Sequence, residues 1–219
     1  MQLTDRLYQD AQNIWENYLK HPFVTGIGDG TLPIAKFRFF MLQDYLYLYD
    51  YAKLFALGVV KASDHDLMRT FSALTESTLN GEMKTHKQYM KRLGISQQEI
   101  QTTPMSLVNS SYTHYMLSVG YSGDVLDILA AVLSCAWSYG EIGLSLAALP
   151  DATDHPFYGE WIQSYAGKDY QKSVREILHL VNTYGQNCTQ ERYGQLKDIF
   201  VRCSRYEGQF WDMSWNMEL

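Results

Sequence analysis

LQDYLYLYDY (residues 42–51) places tyrosine at every second position, Tyr45, Tyr47, Tyr49 and Tyr51, and reads first as a β-strand. Its surroundings decide otherwise. From Ile34 to about Ala62 the chain has one glycine and no proline, a run far longer than the ~5–6 residues of a typical strand. On a helix advancing about 100° per residue, Phe40, Asp44, Tyr47 and Tyr51 fall within an arc of roughly 60°. Lys36, Gln43 and Asp50 form a neighbouring polar edge, and Met41, Tyr45, Ala52 and Ala56 lie farther round. The stretch therefore predicts a helix that sets a carboxylate among three aromatic rings. The alternation is a coincidence of composition.

Working outward, the rest of the chain also reads as helix. Residues 3–20 place Leu3, Leu7, Ala11, Ile14, Trp15 and Tyr18 at steps of three and four. GIGDGTLP (26–33) breaks the chain, with Thr31 as the expected N-cap and Pro33 near the first turn of the next helix. Helical patterns then cover 64–93, 106–119, 124–149 (stopped by Pro150), 155–165, 169–184 and 189–215, with GISQQEIQTTP (94–104) read as a loop. No linker, repeat or low-complexity run divides them. The expected architecture is all-α, a single domain over 1–219.

Composition narrows the function. Seventeen Tyr, nine Phe and five Trp are many rings to pack or use. A formal charge of -6 leaves no basic stripe to neutralise phosphates, which argues against nucleic acid as a partner. The N-terminus lacks the basic and apolar regions of a signal peptide. The most apolar window, Val125 to Leu149, is interrupted by Asp127 and Glu141 and falls short of the ~20 apolar residues that span a bilayer. Cys135, Cys188 and Cys203 have no framework spacing, so reduced thiols and a cytoplasmic location are expected.

Four stretches could carry chemistry. Asp44 on its aromatic face either caps a neighbouring helix or pairs with an arginine, as buried carboxylates are usually paired, or serves as the one acceptor in a ring-lined pocket for a flat heteroaromatic ligand. In DILAAVLSCAWSYGEIG (127–143), Cys135 and Tyr139 share a helix face among small neighbours. A cysteine in such a run is usually structural, and no His or Lys stands one turn away to activate it. In RYEGQFWDMSW (205–215), Glu207, Phe210, Trp211 and Ser214 are at helical offsets. Glu207 is either a general acid or, more commonly for its type, a surface-edge residue. GEMKTHKQ (81–88) sets Glu82 and His86 one turn apart. Metal ligation would need a second such copy, which is absent, and a hydrogen bond within the helix is the simpler reading. His114 is ambiguous in the same way. GIGDG lacks the strand and the Gly-Lys-Ser/Thr ending of a phosphate loop and is explained as a turn.

Together these stretches resemble the TenA family, the thiaminase II or aminopyrimidine aminohydrolase enzymes. HPFVTGIGDGTLPIAKFRFFMLQDYLYLYDYAK (21–53), SYTHYMLSVGYSGDVLDILAAVLSCAWSYGEIG (111–143) and YEGQFWDMSW (206–215) look like the family's three ordered signatures and span most of the chain. The resemblance implies a haem-oxygenase-like helical bundle without haem or other cofactor, assembled as a homotetramer. It implies hydrolysis at the exocyclic methylene of a 4-amino-2-methylpyrimidine, as thiamine or as aminomethylpyrimidine, giving hydroxymethylpyrimidine for salvage. By position, Cys135 is the implied nucleophile and Glu207 the proton donor and acceptor. Asp44 accepts hydrogen bonds from the aminopyrimidine edge, and Tyr47 supports the nucleophile. Tyr139, Tyr165 of WIQSYAG and Tyr112 contact substrate. The chain departs from the family's expected Pro-Cys at Ser134-Cys135, where serine leaves the helix straighter. Two other readings stand beside this one. The family's name as a transcriptional activator points to a non-catalytic regulatory or pyrimidine-binding protein on the same fold. A haem or di-iron protein would have to use His86, His114 and Glu82.

Overall fold

Helix α3, Ile34–Lys61, carries the tyrosine stretch through 28 residues without interruption. Phe40, Asp44, Tyr47 and Tyr51 are all buried, so the arc expected from the sequence is an inward face, while Tyr49 is 45% exposed. The computed structural model describes residues 1–219, all helix, turn or irregular, with no strand. The remaining helices are α1 (Leu3–Tyr18), α2 (Pro22–Gly28), α4 (His65–Glu76), α5 (Met83–Arg92), α6 (Gln97–Thr102), α7 (Leu107–Ser122), α8 (Val125–Ala147), α9 (Gly159–Ala166), α10 (Lys168–Tyr184) and α11 (Gln190–Asn216). A π-helical turn, Ser77–Glu82, joins α4 to α5, and a 3-10 turn, Ala152–Asp154, precedes α9.

The chain forms two compact units, one of Met1–Pro33 with Leu129–Trp215, the other of Ile34–Ile128 with Asn216–Leu219. In the second unit α3 packs on α4, α5 and α7. A Cβ at Gly58 would meet the Phe71 ring at 2.3 Å, so glycine lets α4 lie directly on α3. Gln43, expected on a polar edge, is fully buried. Its amide donates to the Pro104 carbonyl (3.0 Å) and accepts from Ser106 N (2.9 Å), while Asn109 Nδ2 donates to the Gln43 carbonyl at 2.7 Å. The polar residue is inside because it satisfies the backbone where the chain enters α7.

In the first unit Trp15 of α1 donates from Nε1 to Ser204 Oγ of α11 (3.0 Å), tying the first and last helices. Most of α8 runs through this unit. It is long and apolar enough to cross a membrane, but 78% of its most apolar window is buried inside the protein, which makes it a core helix. Three local expectations need correction. Thr31 does not cap α3; its backbone N and hydroxyl both donate to Asp29 Oδ1, closing the preceding loop. Pro22 opens a short helix, α2, that the sequence reading did not place and that runs into the first three residues of the expected break. Ser96 caps α6 through Glu99 N (3.1 Å) inside the stretch expected to be loop.

Candidate active site

Each unit holds, within itself, one cluster of the residues singled out in the sequence. In the second unit Asp44, 6% exposed, shares the inner face of α3 with Tyr47 and Tyr51, whose rings stack at 5.3 Å. Tyr112 of α7 is fully buried against Tyr47, with centroids 5.4 Å apart. The Tyr47 hydroxyl donates to Met116 Sδ at 3.7 Å. Asp44 pairs neither with a helix terminus nor with an arginine. Its Oδ2 lies 2.6 Å from Nε2 of His86, a residue at the start of α5 that the sequence connects only to Glu82. The hydrogen bond expected within that helix is present, but to the backbone: His86 Nδ1 is 3.0 Å from the Glu82 carbonyl oxygen. His114 sits at the surface beside Ser110 Oγ. No group of three or more His, Cys, Asp or Glu side chains is placed to hold a metal ion.

In the first unit, α8 carries Cys135 half-buried among small, fully buried neighbours and Tyr139 one turn on. The helix continues unbroken through Ser134, whose hydroxyl donates to the Ala131 carbonyl one turn back (3.2 Å). That hydroxyl also contacts the buried thiol of Cys203 on α11. Burial first, then the Glu207 charge, pushes the Cys203 thiol far above the usual range, so it is inert as a nucleophile.

Glu207 follows Cys203 by one turn of α11 and is 2% exposed, so the surface-edge reading is overturned. Its face of α11 turns inward entire, with Phe210, Trp211 and Ser214 buried beside it. The Tyr18 hydroxyl donates to the Ser204 carbonyl. Burial, and next the Glu207 charge, raise the Tyr18 phenol well above its ordinary value, with Cys135 and Cys203 adding to the effect. Tyr18 therefore lies in the field of both Glu207 and Cys135, a neighbour that the sequence reading missed. Its position on the apolar stripe of α1 marks it as core and carries no sign of the acid beside it.

Tyr139 meets Tyr165 of α9 at 5.1 Å and Trp211 at 5.1 Å, and Trp161 meets Tyr165 at 4.7 Å. This ring cluster is set by Gly143, where a Cβ would lie 2.7 Å from Tyr165 Cβ and 2.8 Å from the Ala166 nitrogen. Only glycine lets the end of α9 sit on α8 at that distance. The unit thus offers a half-exposed thiol, a buried carboxyl and a wall of rings: a nucleophile, a proton carrier and a surface for a flat ligand.

The model of the TENA/THI-4/PQQC family matches residues 8–217. An aminopyrimidine aminohydrolase of Halalkalibacterium halodurans is 48% identical over 216 residues, 99% of this chain and 96% of that protein. The TenA homologue from P. horikoshii OT3 superposes with a TM-score of 0.90 at 32% identity, covering 99% of both chains. Haem oxygenase 2 of Chlamydomonas reinhardtii, solved without haem, superposes with a TM-score of 0.63 at 16% identity over 97% of both chains, a likeness of fold alone. The fold is an all-helical, haem-oxygenase-like bundle, and the chain belongs to the TENA/THI-4/PQQC family, the TenA or thiaminase II enzymes.

Proposed function

We propose that this protein is a hydrolase of 4-amino-2-methylpyrimidine compounds in thiamine salvage, cleaving thiamine or deaminating aminomethylpyrimidine to hydroxymethylpyrimidine. The observation that carries the reading is near-full-length likeness, at 48% identity, to a protein named for that hydrolysis, in a chain that keeps a cysteine, a buried glutamate and a buried aspartate at the expected positions. Asp44 accepts hydrogen bonds from the aminopyrimidine edge, and Tyr112, Tyr139 and Tyr165 contact the ring. The Cys135 sulfur bonds to a ring carbon as its S–H bond breaks and the proton passes to a ring nitrogen, breaking aromaticity. The C–N bond at the exocyclic methylene then breaks, and its electron pair leaves with the amine or thiazole nitrogen. For the amine, Glu207 gives the departing nitrogen a proton. Water adds to the methylene carbon, losing a proton to the carboxylate, and the C–S bond opens to restore the aromatic ring and the thiol. Tyr47 supports the nucleophile.

The family match runs through both compact units, which supports reading 1–219 as one domain. The protein acts in the cytoplasm as a homotetramer; exposed apolar side chains such as Val60, Leu107 and Tyr121 are available to subunit contacts. Steady-state hydrolysis of both substrates by wild type and Cys135→Ser tests the reading. Wild type turns over at least one substrate, and the variant, folded by circular dichroism, loses ~10³-fold or more. Retained turnover in the variant removes the cysteine mechanism, and an inactive wild type removes the hydrolase.

A further inference from the structure

The carboxylate assigned to the aminopyrimidine is held from behind. Asp44 and His86, on α3 and α5, are both buried and meet at 2.6 Å through Oδ2 and Nε2. The other ring nitrogen fixes the protonation. Nδ1 faces the Glu82 carbonyl at 3.0 Å, and a carbonyl oxygen only accepts, so Nδ1 carries a hydrogen. A proton between Nε2 and Oδ2 then makes either an imidazolium facing a carboxylate or a neutral imidazole facing a carboxylic acid. Burial disfavours the charged ring, but the hydrogen bond and charge of Asp44, with the Glu82 carboxylate and carbonyl, outweigh it and raise His86 above its ordinary value. The ring therefore holds its proton more tightly than a free imidazole does. One carboxylate oxygen is thereby committed to His86, while Oδ1 has no hydrogen-bond partner within the protein.

We propose that His86 is a positioning residue that holds Asp44 through Oδ2 and leaves Oδ1 for the ligand, and that the pair selects a 4-aminopyrimidine over its 4-oxo counterpart. The inference rests on the function proposed above. An exocyclic amine brings an N–H that Oδ1 accepts. A 4-oxo group brings lone pairs against lone pairs, and a buried site built for one pattern rejects the other strongly. Without His86, Oδ2 loses its hydrogen-bond partner and the carboxyl is free to turn, so Oδ1 is no longer held toward the exocyclic amine and discrimination falls.

The test uses calorimetric binding of hydroxymethylpyrimidine, which is not turned over, and of its 4-oxo analogue, to wild type, His86→Leu and His86→Gln. Wild type prefers the amino ligand by ~10²-fold or more. In His86→Leu the amino ligand weakens by ~10–100-fold, the oxo analogue holds, and the ratio collapses. The glutamine Nε2 reaches about as far as that of the histidine and restores part of the ratio. Loss of both ligands in equal proportion, or an unchanged ratio, overturns the inference. Wild type that neither hydrolyses nor binds the amino compounds overturns instead the function on which it rests. Nitrogen NMR of wild-type His86 provides a reading independent of any variant's folding. Both ring nitrogens are protonated near neutral pH, and a bare Nε2 overturns the proposal.

Discussion

Replacing Gly143 by alanine tests how the ring cluster around Tyr139 is held. The added Cβ would lie 2.7 Å from Tyr165 Cβ and 2.8 Å from both the Ala166 nitrogen and the Tyr165 carbonyl carbon. Carbon atoms rest at about 3.5–4.0 Å, so α9 must retreat by about 1 Å. Two of the three atoms are backbone and cannot rotate aside. Overpacking of this kind costs about 1–3 kcal/mol, against which alanine's helix propensity returns about 1 kcal/mol. Gly194 in α11 supplies the control, because a Cβ there meets nothing within 4 Å. Gly194→Ala therefore gains about 1 kcal/mol, and the difference between the two variants isolates the packing cost at ~1–3 kcal/mol. Urea denaturation with an unchanged m-value measures it. Because Tyr165 moves with α9, KM for the aminopyrimidine rises by ~10-fold in Gly143→Ala and stays fixed in Gly194→Ala. Equal stability and equal KM in the two variants would refute the claim that this glycine sets the position of Tyr165.

Ser204→Ala leaves the buried Trp15 Nε1–H without its acceptor and destabilises the protein by ~1–3 kcal/mol in the same denaturation assay; a change within error would show that Trp15 finds another partner. Tyr158, whose hydroxyl donates to the Leu32 carbonyl at 2.6 Å, has its phenol pushed up from 10.0 to about 12 by burial. The folded state holds that proton more tightly, so the contribution is full below pH ~10 and is lost as pH rises toward ~12, on the order of 3 kcal/mol. Denaturation midpoints of wild type and Tyr158→Phe across that window should converge at the alkaline end, and parallel curves would count against it. The loss of turnover in Cys135→Ser and the change of ligand preference in the His86 variants complete the set.

The helix at 34–61 was legible because nothing in the run could break it, and its buried arc followed from 3.6-residue geometry alone. Other features were written in the sequence but outweighed. Ser96-Gln-Gln-Glu99 is a capping signal, yet α6 has no buried residue and so no apolar period to announce it. Glu207 stood on a face with Phe210, Trp211 and Ser214, all buried, and only the general exposure of glutamates argued for the surface. Asp44's partner was not legible in that way. It lies 42 residues away, and no local pattern records which of several histidines a carboxylate will meet.

The π turn explains why His86 in particular was hidden. In it Met83 N donates to the Thr78 carbonyl five residues back, one residue more than an α-helix encloses. Read as one uninterrupted α-helix, Met83, His86 and Met90 stand about 120°, 60° and 100° round from Phe71, off the stripe that Leu67 and Phe71 define. With one residue absorbed by the π turn, the same three fall at about 20°, −40° and 0°, in line with Phe71 and Leu67. All five are buried. A single period fitted to 64–93 therefore scatters the inward residues of α5 and gives His86 no face to share with Leu67 and Phe71. The inserted residue turns the Asp44 partner toward α3, which places the irregular turn at the origin of the Asp44–His86 contact and makes the broken periodicity itself the sequence trace of that contact.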